Sequence, residues 1–239
     1  AEWNDQVVDL ASFAGQVVRI ELASESAGAG RVAWSVPRLL VPHVDRPTIE
    51  PARNVVVLLI DTLRADKLRP FNPRSRVEAP TIDAFAQAGA IFELAQSSEN
   101  WTKPSVASVL TGLYPMTHGQ KTESTSLPPS AVLLSEHLKE QGFRTGSFIA
   151  NGYVSDRFGF NQGWDHYTNY IRENKDTEAA NVFAEAATWI EAHRGERFFT
   201  YIQTIDPHVP YDPPTSFLDM YFEGPYTGQV RNRMTGDLL

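Results

Sequence analysis

The 239-residue sequence contains no cysteine. Disulfides, zinc–thiolate centres and a cysteine nucleophile are therefore excluded. It also lacks any apolar run near the ~18 residues that a membrane-spanning helix needs. Its densest apolar stretch, Val55–Ile60, is six residues long. Net positive charge is missing too. With 29 acidic and 21 basic residues the formal charge is −8, which argues against a general binder of nucleic acid or anionic membrane. An anionic substrate stays open, because a local field need not follow the net charge. The sequence starts at Ala1 and shows no basic-then-apolar signal segment; a removed leader or, the reading favoured here, a piece of a longer protein accounts for that. There is no internal repeat and no low-complexity tract.

What is present suffices for a core. Apolar residues make up 42% and aromatics 11%, so disorder throughout is not expected. The length suits one large domain, or one with a small partner. Residues 1–44 read as β: Val18, Ile20 and Leu22 alternate with Arg19 and Glu21, and residues 31–36 alternate likewise. Two or three strands do not make a stable sheet alone, so this segment reads as part of a β-sandwich. Residues 45–53, framed by prolines, read as a linker.

From Asn54 the pattern changes to alternating strand and helix. Val55–Ile60 is a continuous Val/Leu/Ile run, expected of a strand buried on both faces. Helices are expected at residues 82–89, 104–110, 131–141 and 177–193, and strands at residues 90–95, 145–150 and 198–205. Strands separated by helices imply an α/β fold, a mostly parallel sheet flanked by helices.

In such sheets ligands gather beyond the carboxyl ends of the strands. Asp61 follows the first strand, Thr102 opens a helix after the second, and Asp206 and His208 follow the last. A lone aspartate there can simply cap the next helix, and a threonine before a proline-containing first turn is ordinary N-cap chemistry. As a set, however, carboxylate, hydroxyl and imidazole suit metal-assisted nucleophilic chemistry. Asp61 is an oxygen ligand for a hard cation, and Thr102 a hydroxyl at a helix N-terminus, where anions are stabilised and Lys103 adds charge. Asp66 reads as a solvated or capping carboxylate. The glycosylation sequon at Asn100-Trp101-Thr102 is read as chance.

Four ordered segments resemble the sulfatase family of the alkaline phosphatase superfamily: NVVVLLIDTLRAD (residues 54–66), APTIDAFAQAGAIFELA (79–95), WTKPSVASVLTGLYPMTHG (101–119) and IDPHVPYDPP (205–214). The resemblance covers about residues 52–220 and implies an alkaline phosphatase/sulfatase-like domain over residues 54–239. It makes Asp61 a metal ligand, Thr102 the nucleophile and His208 a second catalytic residue, with Lys103 and Asn151 on the substrate. It implies a divalent ion, Ca²⁺ first, with Mn²⁺ or Zn²⁺ as alternatives.

The departures are informative. Thr102 stands where the family converts Cys or Ser to formylglycine, and threonine cannot give that aldehyde; no formylglycine is expected. Val106 replaces a motif arginine, Thr62 a second metal aspartate, and Ala150-Asn151-Gly152 a Lys-x-His pair. The family's later Asp-Asn or Asp-His pair has no match here, so further ligands are expected beyond residue 239, and the isolated chain is expected to be inactive. The leading expectation is a metal-dependent hydrolase of a sulfated or phosphorylated small molecule or glycan, periplasmic or extracellular, with no nucleic-acid partner. The alternatives are a phosphotransferase or phosphodiesterase with a phospho-threonine intermediate, and a degenerate, non-catalytic or carbohydrate-binding module.

Overall fold

A computed structural model describes residues 7–13, 18–23, 51–221 and 224. The chain divides into two units, residues 1–49 and 50–239. In the first, residues 11–13 form one 3-10 turn. The strand expected around Val18, Ile20 and Leu22 is not formed. Those residues are exposed and outside any strand, and among the described residues no strand pairs with them. The second expected strand, residues 31–36, lies outside the described residues, as does most of the expected linker.

In the second unit the described elements follow the strand–helix grammar. They are β1 (Val55–Ile60), α1 (Pro80–Ala88), α2 (Thr102–Thr111), α3 (Pro115–His118), α4 (Leu134–Glu140), β2 (Arg144–Ile149), β3 (His166–Asn169), α5 (Ala179–Ala192), β4 (Phe198–Thr204) and α6 (Thr215–Tyr221). The four strands form one parallel sheet in the order β1-β4-β2-β3. β4 is central and buried along its whole length. On one face Phe199 and Tyr201 pack with Val106, Ala107 and Leu110 of α2 and with Trp164. On the other, Phe148 and Ile202 meet Val182 and Ala186 of α5. Gly146 permits the close seating of α5 over β2, since a Cβ there would lie 2.9 Å from the Trp189 ring. Helix α2 ends on Gly112 at φ +69°, the left-handed cap that glycine supplies without strain.

Three expectations are corrected. β1 is an edge strand: Val55, Val57 and Leu59 join the core, while Val56 and Leu58 are about half exposed. A Val/Leu/Ile run therefore marks strand here but not burial on both faces. Residues 90–95 form no strand, and Ile91, Phe92 and Leu94 are exposed, since no described strand offers them a ladder. β3, a short polar His-Tyr-Thr-Asn strand, was not expected; it pairs with β2 from Gly146 to Ile149.

Candidate functional site

The carboxyl ends of β1, β2 and β4 and the start of α2 bring four polar side chains together. Asp61 continues the β1–β4 ladder by one rung, its N–H donating to the Thr204 carbonyl at 3.0 Å. That fixes its side chain at the sheet edge, 6% exposed. Thr102 is the first residue of α2; the N-cap is Trp101, and no side chain caps the helix. The Thr102 hydroxyl donates instead to the Asp61 carboxylate, 3.1 Å from Oδ2 and 3.3 Å from Oδ1. The capping explanation for Thr102 thus gives way to a hydroxyl–carboxylate pair spanning 41 residues of sequence.

Asn151 enters from beyond β2. The Ala150 N–H donates to the Gln203 carbonyl at 2.9 Å, keeping the chain on the sheet. The Asn151 amide then donates to Asp61 Oδ2 at 2.8 Å while its own oxygen accepts the Tyr153 N–H, also at 2.8 Å. Gln203 of β4 is the fourth member, its Nε2 donating to Asp61 Oδ2 at 3.1 Å. Its one visible signal in the sequence is a long amide side chain in a strand that is buried along its whole length and whose other polar residues are the threonines Thr200 and Thr204. The residue after Asp61, Thr62, sits at φ +57°. A β-branched residue in that region is a backbone outlier of the kind that clusters at ligand sites.

Two expected site residues do not join this group. Lys103 is buried, and its ammonium donates at 2.8 Å to each of the Glu123 and Thr125 carbonyls. It also lies 3.8 Å from the centre of the Phe158 ring. Those partners occupy its three protons, so in this structure it braces a loop rather than facing an anion; desolvation pulls its pKa below the ordinary lysine value. His208 follows β4 as expected, but its Nδ1–H donates to the adjacent Val209 carbonyl at 2.6 Å, and among the described residues it makes no hydrogen bond to Asp61 or Thr102. Asp206 turns away to accept the Ala179 N–H at the start of α5. Asp66 forms an exposed pair with Arg64. Val106, at the motif arginine position, is core.

A buried carboxylate without a cationic side chain beside it is electrostatically incomplete. Asp61 has no ion-pair partner among the described residues, where it meets only neutral donors. Its Oδ2 takes three donors and its Oδ1 one long contact. In kind, oxygen donors and an uncompensated charge fit a hard divalent ion. In number they do not complete its shell: among the described residues no three His, Asp or Glu side chains cluster as a metal centre. An open apolar cleft of about 430 Å³ between α5 and the β2–β3 edge, lined by Phe148, His166 and Trp189, is built from other residues.

Parallel α/β topology with polar groups from several strand ends defines a domain that places ligands at one sheet edge. A sequence model of the Sulfatase family matches residues 53–236, and the chain belongs to that family. It is 28% identical over 208 residues to an ulvan-active sulfatase of Formosa agariphila, covering 76% of this chain and 40% of that protein. It is 28% identical to an N-acetylgalactosamine-6-sulfatase of Rattus norvegicus, covering 74% and 44%. Among solved structures, a phosphonate monoester hydrolase of Agrobacterium radiobacter superposes with a TM-score of 0.60 at 18% identity, over 72% of this chain and 45% of that one. The fold is thus of the alkaline phosphatase/sulfatase type, and the chain spans under half the length of these relatives.

Proposed function

We propose that the chain carries the nucleophile part of an ester-cleaving site acting on a sulfate or phosphate ester, with Thr102 as the attacking group. The observation that supports this most is the Thr102–Asp61 hydrogen bond: a hydroxyl at a helix N-terminus, held by a buried carboxylate. The Thr102 oxygen attacks sulfur or phosphorus, its proton leaves toward Asp61 or solvent, and the bond to the departing alcohol breaks as that alcohol gains a proton. Water then cleaves the sulfo- or phospho-threonine ester and regenerates the hydroxyl. The N–H groups of Thr102 and Lys103 at the start of α2 and the helix dipole offset the charge of the transferred group. Asp61 and Thr102 are the residues that would hold a divalent ion, Ca²⁺ ahead of Mn²⁺ or Zn²⁺. Such an ion would lower the pKa of a coordinated hydroxyl and offset charge on the ester.

Asn151 holds Asp61 here and is the proposed contact to substrate as well. With Nδ1–H bound to Val209, a neutral His208 presents Nε2 as a proton acceptor, suited to activating the water that cleaves the ester; as an imidazolium it would donate Nε2–H to the leaving alcohol. The substrate we propose is a sulfated or phosphorylated glycan or small molecule, in keeping with the activities that name the relatives above. A polymeric glycan cannot cross a membrane, which supports a periplasmic or extracellular site of action.

A second reading, phosphotransfer or phosphodiester cleavage, is favoured by Thr102 itself: threonine cannot become the aldehyde but can carry a phosphoryl group. Parallel assays with 4-nitrophenyl sulfate and bis(4-nitrophenyl) phosphate on the intact protein that contains this chain, as wild type, Thr102→Ser and Thr102→Ala, test both. Thr102→Ser should retain turnover, and Thr102→Ala should lose it by several orders of magnitude. An alanine variant as active as wild type would reduce Thr102 to a helix-start residue.

A further inference from the structure

Gln203 is wholly buried within the central strand, where a polar side chain needs a reason. Its surroundings dictate which way its amide points. A carboxylate only accepts hydrogen bonds, so the half of the amide that meets Asp61 Oδ2 at 3.1 Å is the NH₂. The amide oxygen then points the other way and needs a donor. Tyr201, two residues earlier on the same face of β4 and equally buried, supplies it: its hydroxyl donates to Gln203 Oε1 at 3.0 Å. Burial and the nearby Asp61 charge hold the Tyr201 phenol well above its usual pKa, so it stays a donor. A flipped amide would set its oxygen against the carboxylate, where neither side can donate.

This chain of bonds treats the two oxygens of Asp61 unequally. Oδ2 receives Asn151 at 2.8 Å, Gln203 at 3.1 Å and Thr102 at 3.1 Å; Oδ1 receives only Thr102, at 3.3 Å. We propose that Gln203, its amide polarity set by the Asp61 carboxylate and its oxygen held by Tyr201, is a positioning residue that anchors Asp61 through Oδ2 and leaves Oδ1 as the oxygen offered to a cation. Gln203 is then no oxygen ligand itself, because its oxygen is engaged by Tyr201. The proposal rests on the reading of Asp61 as a metal ligand and adds the pair of buried residues that orient it. Partners that orient a ligand change metal affinity by about 10- to 100-fold when removed.

The test uses the 239-residue chain with Ca²⁺ and Mn²⁺ as probes. Calorimetric titration covers wild type, Asp61→Asn, Gln203→Leu and Tyr201→Phe, with circular dichroism as the check on folding. Wild type should bind weakly, because one carboxylate and one hydroxyl leave most of the shell to solvent, and Asp61→Asn should bind more weakly still. Gln203→Leu should weaken binding about tenfold or more; Tyr201→Phe should weaken it less, since the amide can still face Asp61. The side-chain NH₂ resonance of Gln203 adds a readout that packing alone would not move: its proton shift should change in Asp61→Asn and broaden or move in Tyr201→Phe. A folded Gln203→Leu protein with wild-type affinity overturns the proposal and leaves Asp61 a ligand. If Gln203→Leu does not fold, Tyr201→Phe decides, and unchanged affinity together with an unchanged NH₂ shift counts against the proposal. An Asp61→Asn variant that binds as well as wild type overturns the ligand reading and the proposal with it, and a Gln203 NH₂ shift that is the same in wild type and Asp61→Asn overturns the proposal even where binding is too weak to titrate.

Discussion

Asp61 and Lys103 are two buried charges next to Thr102, one bonded to its hydroxyl and the other following it in sequence, and the fold handles them in opposite ways. Lys103 spends its protons on two carbonyls and an aromatic face. Nothing is left over, and the result is a fastening between the start of α2 and the loop at residues 121–125. Asp61 meets only neutral donors, and these crowd onto Oδ2. One charge is satisfied and structural; the other is anchored on one side and unfinished on the other. A buried charge marks a candidate site when its bonding is incomplete, and burial alone does not separate the two cases.

Exchanging these residues should give crossed effects. Lys103→Met keeps the length of the side chain but strands two carbonyls, so it should lower unfolding stability by about 2–4 kcal/mol. Ca²⁺ affinity should stay near wild type. Denaturant melts and calorimetry on the same samples check both halves, and a large loss of affinity with unchanged stability would place Lys103 in the site after all. Asp61→Asn should do the reverse. Its carbonyl can keep the Asn151 and Gln203 bonds and its NH₂ can donate to Thr102, so stability should move by less than about 1 kcal/mol while ion binding weakens. Equal destabilisation by the two variants would erase the contrast.

A smaller effect concerns His118, buried near the far end of α2. Its Nδ1 accepts the Gln120 N–H at 3.1 Å, leaving Nε2–H for Ser108 Oγ at 3.1 Å. Desolvation pulls its pKa below the ordinary 6.5. Between that lowered folded value and 6.5 the unfolded chain binds more protons than the folded one, so stability rises with pH across that window. It is complete above 6.5 and falls as the pH drops toward the folded value. His118→Asn should flatten this part of the stability–pH curve. If wild type and variant run parallel between pH 7 and the acid limit, His118 titrates normally.

Much of the frame was readable from residue order. The switch to strand–helix alternation at Asn54, the helix start near Thr102 and the polar residues after three strands all have local causes: apolar runs, prolines, glycine stops. Asp61, Thr102 and Asn151 were singled out from the sequence, and they meet in space. What the sequence hid depends on partners distant in the chain. Gln203 is one of several polar residues in its strand, and only Tyr201 and Asp61 on either side of its amide mark it out. Lys103 invited an electrostatic reading, and only the loop at residues 121–125 shows where its ammonium goes. Residues 90–95 have strand composition but no described ladder, and β3 has a ladder but little strand composition. Pairing decided both cases against local preference.

The most direct test of the central claim, that Thr102 is an activated hydroxyl and not a helix start, is to map where a transferred group lands. The intact protein that contains this chain is incubated with bis(4-nitrophenyl) phosphate and Ca²⁺, quenched in acid, digested and sequenced by tandem mass spectrometry. A phosphoryl-type adduct on Thr102, absent from Asp61→Asn and unchanged in Lys103→Met, is the expected result. An adduct on another residue, or labelling of Thr102 that does not depend on Asp61, would contradict it.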